Sequence, residues 1–278
     1  MIVAVASGKG GTGKTTVSLN LAHVFGKSVQ LFDCDVEEPN ANLFLRGERK
    51  SEDIVQIQMP HINLARCDGC GDCNTFCQFN AIVVAAGKAM VFPELCHACG
   101  GCTLVCPTHA ITEVDTRIGT IETLQAGDLT LLQGTLDVGV SSASPLIDAV
   151  KKRIPVDGVA ILDAPPGTSC PAVATVRKTD YTVLVTEPTP FGLHDLKLAV
   201  AMLRHIGIPF GVVVNRHGIG DDRVHAYCRK ENIPLLLVIP DDRRIAECYS
   251  RGEILIDALP EYRALFEQLR GRVLEQMA

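Results

Sequence analysis

Tryptophan is absent from the 278 residues, and aromatic side chains of all kinds make up 5% of them, so a core has to be assembled from aliphatic residues and alanine. No uninterrupted apolar run reaches the roughly 18 residues that a membrane-spanning helix needs. The apolar opening Met1-Ile-Val-Ala-Val-Ala is short and has no basic leader, unlike an export signal, so a cytoplasmic location is expected. Excess positive charge is missing too. The formal net charge is −6 and no stretch with helical periodicity carries a stripe of Lys and Arg, which argues against a nucleic-acid partner. The eight histidines form no H-x-x-x-H or comparable pattern, and none is assigned to metal. What remains is 47% hydrophobic and 21% charged, a composition that folds, at a length suited to one large α/β domain with a small insertion.

Apolar runs alternate with helical spacing along most of the chain. Met1 to Ser7 reads as a strand buried on both faces, followed by a glycine-rich turn and a helix over Thr15 to Phe25. Further strands are expected at Ser28 to Phe32, Leu129 to Gln133, Gly158 to Leu162, Tyr181 to Thr186, Phe210 to Val214 and Leu235 to Ile239, with a helix over Leu193 to His205 among the segments between them. Such alternation predicts a mainly parallel, doubly wound sheet. Between 59 and 116 the character changes to turn-rich, cysteine-rich sequence with short strands at Ala81 to Ala85 and Ala89 to Phe92. The expected organisation is therefore a discontinuous α/β domain, 1–58 and 117–278, with a small α+β domain inserted over 59–116.

Residues Gly8-Lys9-Gly10-Gly11-Thr12-Gly13-Lys14-Thr15 fit G-x-x-x-x-G-K-S/T between a strand and a helix. In such a loop the backbone amides curl round phosphates, the lysine neutralises charge and the threonine hydroxyl meets Mg²⁺; Thr16 continues the loop into the helix. Ligands of open α/β sheets gather at the carboxyl ends of strands, where Asp35, Asp163, Glu187 and Asn215 also fall. The additional lysine, Lys9, makes the motif resemble the deviant phosphate loop of the MinD/ParA/Mrp ATPases and the nitrogenase iron protein. That resemblance implies a homodimer that closes on two ATP molecules, with Lys9 reaching the partner's nucleotide; a solvated loop lysine is the alternative. It also implies that Asp163, in Asp163-Ala-Pro-Pro-Gly167, sits in the Mg²⁺ shell with the Gly167 amide near the γ-phosphate. By the same resemblance Asp35 orients water and helps to hold Mg²⁺, and Asn215 reads adenine, although Asn is also a common strand-end residue. Catalytic weight then falls on Lys9, Lys14 and Asp35, and Mg²⁺ on Thr15, Asp35 and Asp163.

Eight of the twelve cysteines lie between positions 67 and 106. Cys67-x2-Cys70-x2-Cys73-x3-Cys77 and Cys96-x2-Cys99-x2-Cys102-x3-Cys106-Pro107 are two copies of the bacterial ferredoxin run, in which the fourth cysteine serves the other cluster. One 4Fe-4S cluster is then expected on Cys67, Cys70, Cys73 and Cys106, and a second on Cys96, Cys99, Cys102 and Cys77. A zinc site is the competing reading of C-x2-C pairs, and Gln78 stands where a ferredoxin run usually has proline. Cys34, Cys228 and Cys248 read as small buried hydrophobes.

Cys170, seven residues after Asp163, resembles a cluster-binding cysteine of the nitrogenase iron protein, so two readings stay open: a structural thiol, or half of a further 4Fe-4S site shared by two subunits. The C-terminal C-x-x-C pair of the Mrp carriers is absent. Finally, Tyr262, Leu265, Phe266, Leu269, Val273 and Leu274 form an apolar stripe whose opposite face mixes acids with bases, as in a helix docked on a core rather than on a membrane. The functions expected are ATP-coupled electron transfer to a redox partner, delivery of an iron–sulfur unit to a client, or redox-sensitive partner binding.

Overall fold

The structure, a computed structural model, describes residues 1–26 and 29–277; Ser28, the first residue of one predicted strand, lies outside the described residues. In chain order the strands are β1 (Ile2–Ala6), β2 (Val29–Asp33), β3 (Glu48–Ile62), β4 (Ile82–Ala85), β5 (Lys88–Val91), β6 (Ile111–Ala126), β7 (Leu129–Leu136), β8 (Val159–Asp163), β9 (Tyr181–Thr186), β10 (Phe210–His217) and β11 (Leu235–Pro240). The helices are α1 (Lys14–Phe25), α2 (Asp72–Phe76), α3 (Gly101–Val105), α4 (Ser144–Lys151), α5 (Cys170–Val176), α6 (Pro190–Ile206), α7 (Arg223–Lys230), α8 (Arg243–Ser250), α9 (Leu255–Ala258) and α10 (Arg263–Met277). The chain divides into two compact units. One comprises Met1–Glu52, Ile121–Thr135 and Ile147–Ala278, the other Asp53–Thr120 and Leu136–Leu146.

The first unit is built on a sheet in the order β11-β10-β9-β1-β8-β2-β7, continued by β6 and β3. The pairs β1·β8, β1·β9, β9·β10, β10·β11, β2·β8 and β2·β7 are all parallel. Consecutive strand residues point to opposite faces, and Val3, Ala4, Val5 and Ala6 are all buried, so both faces of the central strand are covered. This is the mainly parallel α/β sheet expected from the alternation of apolar runs and helical spacing. The strand ends lie up to three residues from those read off the sequence, and α6 begins at Pro190 rather than Leu193. Thr189 caps it by accepting the Gly192 amide at 3.0 Å, with proline at the first helical position, and Gly207 ends it at φ 79°.

The C-terminal helix docks on the core as expected. Phe266, Leu269 and Val273 are buried against α1 and its strands, each contributing about 1.5–3 kcal/mol by removal from water. Leu274, placed in the apolar stripe by its spacing, is instead exposed. Among the described residues no helix is long and apolar enough to cross a membrane.

The strands β3 and β6 were not among those expected from the sequence. The first half of β3, Glu48-Arg-Lys-Ser-Glu-Asp, is charged, and its inward alternation of Val55, Ile57 and Met59 is short. A strand at the end of a sheet order needs charge more than apolar content, because unpaired edges invite aggregation. These long strands also carry the second unit beyond the 59–116 segment on both sides.

Within the second unit the repeat is visible in the backbone. The short helices α2 and α3 begin after Gly71 and Gly100, both with left-handed φ, and end at Cys77 and Cys106. They pack on each other. Asn80-Ala-Ile and His109-Ala-Ile then turn through a positive φ and bury Ile82 and Ile111. One buried cluster of this unit comprises Cys73, Ile82, Ala89, Cys102, Cys106, Ala110 and Ile111.

The Tyr181 hydroxyl, buried in the first unit, has no hydrogen-bond partner among the described residues, and burial pushes its pKa up to about 12. Removing such a group is favourable. Tyr181→Phe is expected to raise stability by about 1 kcal/mol, read as a higher urea midpoint at unchanged slope.

Candidate functional site

The carboxyl ends of β1, β8 and β2 lie side by side and converge on the start of α1. Gly13 precedes the helix with φ 90°, and a Cβ there would fall 2.3 Å from the Asn215 amide nitrogen, so both backbone and space require glycine. Lys14 is buried. Its ammonium stands 3.5 Å from Asp35 and 3.7 Å from Asp163. Burial alone would lower its pKa, but Asp163, Asp35 and Asp33 outweigh that and raise it. The Thr15 hydroxyl donates to Asp163 Oδ2 at 2.7 Å, while Asp163 Oδ1 is buried without a hydrogen bond. Thr15, Asp35 and Asp163 thus offer hard oxygens around one point, the donor set suited to Mg²⁺. Burial raises the pKa of Asp35 despite Lys14 beside it.

A cavity of about 650 Å³ opens from this point, within the size range of small-molecule sites. Gly10, Gly11, Gly13, Lys14, Thr15, Thr16 and Asp35 line one part, and Ile245 and Tyr249 with Asp241 and Asp242 line another. Gly8 and Thr12 belong to the same loop. The structure places Asn215 on the cavity wall, where its amide donates to the Thr12 carbonyl at 2.8 Å and its oxygen accepts the Arg216 amide. These bonds brace the phosphate loop. The Gly167 amide donates to the Ser7 carbonyl at 2.9 Å. Lys9 is held within its own chain: its ammonium lies 2.8 Å from Glu187, which also accepts from Arg216 at 2.8 Å.

Two acids were not singled out for roles from sequence. Glu187 is buried between Lys9 and Arg216, and an acid directly after the fully buried strand β9, at the ligand-binding end of the sheet, was the available signal. Asp33 is the other. Its carboxylate accepts the amides of Asp35, Asn40 and Ala41 at 3.0–3.1 Å and so pins the loop that carries Asp35. Burial and neighbouring Asp163 push its pKa up to about 7, against the pull of those amides.

In the second unit the eight clustered cysteines line two cavities. Cys67, Cys70 and Cys73 share one with Cys106, and Cys96, Cys99 and Cys102 share the other with Cys77. Backbone amides point at the sulfurs: Ala81 at Cys77, Ala98 at Cys96 and Ala110 at Cys106, at 3.2–3.4 Å. All twelve cysteines are free thiols. Among the described residues no three Cys, His, Asp or Glu side chains converge as ligands of a single ion. Cys34, Cys228 and Cys248 are buried, whereas Cys170 is exposed as the first residue of α5.

The model of the CobQ/CobB/MinD/ParA nucleotide binding domain matches residues 3–256. The chain belongs to that family. Within it, this member is 33% identical over 264 residues to an uncharacterized protein of Methanocaldococcus jannaschii, covering 91% of this chain and 90% of the other. It is 26% identical to the iron-sulfur cluster carrier protein of Aquifex aeolicus, over 94% of this chain and 63% of that one. Among solved structures, the cell division ATPase MinD of Pyrococcus furiosus superposes with a TM-score of 0.59 over 99% of this chain and 98% of its own at 21% identity, a likeness of fold.

The matched nucleotide binding domain includes the loop around Lys14. Because Lys14 is the buried cation paired with Asp35 and Asp163, Lys14→Ala should both abolish detectable nucleotide binding and lower stability by about 3 kcal/mol, measured by calorimetric titration and urea unfolding.

Proposed function

We propose that this protein is an ATPase whose nucleotide state governs electron transfer through two 4Fe-4S clusters held by its cysteine-rich unit. The observation that carries the reading is the pairing of two complete four-cysteine cavities with a P-loop site in one chain. A zinc ion needs its four ligands on one centre. A cubane cluster instead takes each thiolate on a different iron, which suits cysteines that surround a cavity and do not meet at a point. Three of the seven residues in the buried cluster around α2 and α3 are themselves cysteines, so this cluster is completed by what the thiols hold.

In the nucleotide site Lys14 and the loop amides neutralise the phosphates, and Thr15, Asp35 and Asp163 hold Mg²⁺. Asp35 also orients the water whose attack converts ATP to ADP and phosphate. Lys9 acts across a homodimer once its ion pair with Glu187 is exchanged for the partner's nucleotide. Gly167 and Asn215 follow the loop they brace. When bound, each cluster takes up and releases one electron. The chain from Asp35 runs through β3 directly into the cysteine-rich unit, giving a covalent route by which a γ-phosphate-sensitive loop bears on it.

A second reading, delivery of an iron–sulfur unit to a client protein, draws on the printed name of the Aquifex aeolicus relative and on the exposure of Cys170 at a helix start. In that reading two Cys170 thiolates of a homodimer receive the cargo.

Anaerobic iron and acid-labile sulfide analysis with EPR separates these readings. About eight irons per chain in both wild type and Cys170→Ala supports electron transfer; an excess of about two per chain that the variant loses supports the shared site. Zinc in place of iron and sulfide would sink both. Lys9→Ala is expected to retain ATP binding yet lose ATP turnover by about 100-fold or more, in a phosphate-release assay.

A further inference from the structure

The two cysteine runs are near repeats, so equivalent positions compare the two cavities directly. Superimposing Cys67 on Cys96 and Cys77 on Cys106 matches Arg66 with Leu95 and Phe79 with Thr108. The Cys67 carbonyl accepts from the Lys88 ammonium at 2.6 Å, and the same ammonium reaches the Leu64 carbonyl at 2.9 Å. The matching Cys96 carbonyl accepts from the neutral Ser141 hydroxyl at 3.3 Å.

The hairpin of β4 and β5 delivers Lys88. Its turn residues Ala86 and Gly87 both have positive φ, as a two-residue hairpin link requires. The turn lies so close to the first cysteine loop that a Cβ on Gly69 would fall 2.3 Å from the Gly87 carbonyl oxygen.

The fourth cysteines differ as well. The Thr108 hydroxyl lies 3.7 Å from Cys106 Sγ, and the Arg66 guanidinium donates to the Thr108 carbonyl at 3.1 Å. The Ala110 amide also donates to this sulfur, at 3.2 Å. In the other cavity the counterpart of Thr108 is Phe79, whose ring stacks on His97 with centroids 3.7 Å apart. Anions are present around both. Asp68 and Asp72 lie in the first loop; Glu94 precedes Cys96 by two residues, and the Glu113 carboxylate sits against Gly100. The first cysteine loop thus receives an ammonium on its backbone where the second receives a neutral hydroxyl, and a hydroxyl stands near the Cys106 sulfur where Cys77 is followed two residues on by Phe79; His97 lines the second cavity.

Adding an electron to a cluster adds negative charge, which cations and donors aimed at the thiolate sulfurs stabilise. We infer that Lys88 and Thr108 are positioning residues that make the site of Cys67, Cys70, Cys73 and Cys106 the more readily reduced of the two, so that a single electron entering the unit resides there. This rests on the reading that both cavities hold 4Fe-4S clusters.

The test is an anaerobic redox titration of the full chain followed by EPR, with dithionite as the electron donor. Wild type should reduce in two one-electron steps. Lys88→Gln and the nearly isosteric Thr108→Val should each lower the higher step and leave the lower one in place, while Phe79→Thr should raise the lower. A several-fold change in electron occupancy is expected, tenfold being about 59 mV for one electron. Unmoved steps in both Lys88→Gln and Thr108→Val at full iron content, or movement of the lower step instead, would overturn the inference. Wild-type protein lacking iron and sulfide would overturn the metal reading itself, a separate and distinguishable failure.

Discussion

The first unit depends on one buried ammonium. Parallel pairing of β2 with β8 sets Asp33 directly opposite Asp163, and like charges so placed repel. Asp35 adds a third carboxylate close by. Lys14, rising from the turn after β1, is the cation that makes this arrangement tolerable. The burden is visible in Asp33, whose pKa is driven up to about 7 by burial and by Asp163. In the function proposed above, these internal ion pairs are exchanged for a metal ion and phosphates, the proposed ligands of the same groups that repel or compensate one another in the protein alone.

The second unit depends on a different device. Cysteine makes up three of the seven residues in the buried cluster that joins its two halves. Glycines with left-handed φ start both short helices, and the two halves reuse the same turn, helix and Ala-Ile sequence. Duplication gives near symmetry; the β4–β5 hairpin, present after only the first run, breaks it by bringing Lys88 to one loop.

Much of the fold was legible because its signals are local. Apolar runs bounded by turn residues marked the central parallel strands, and the glycine-rich loop between β1 and α1 marked the site. The long strands β3 and β6 were less legible because half of β3 is charged, its structure being supplied by pairing rather than by burial. Asp33, Glu187 and Arg216 were missed as participants for a related reason: an isolated acid or base after a strand has no local pattern, and its role appears only when another element brings it a partner.

The sequence by itself determined the mainly parallel α/β class, the phosphate loop and the cysteine spacing, since backbone propensity, glycine placement and ligand intervals are properties of neighbouring residues. The tertiary structure alone decided that Lys9 rests on Glu187 and that Asn215 braces Thr12. Each of these two contacts joins residues more than 170 positions apart. Only the register and order of the sheet, set by burial of both its faces, bring such distant groups within bonding distance.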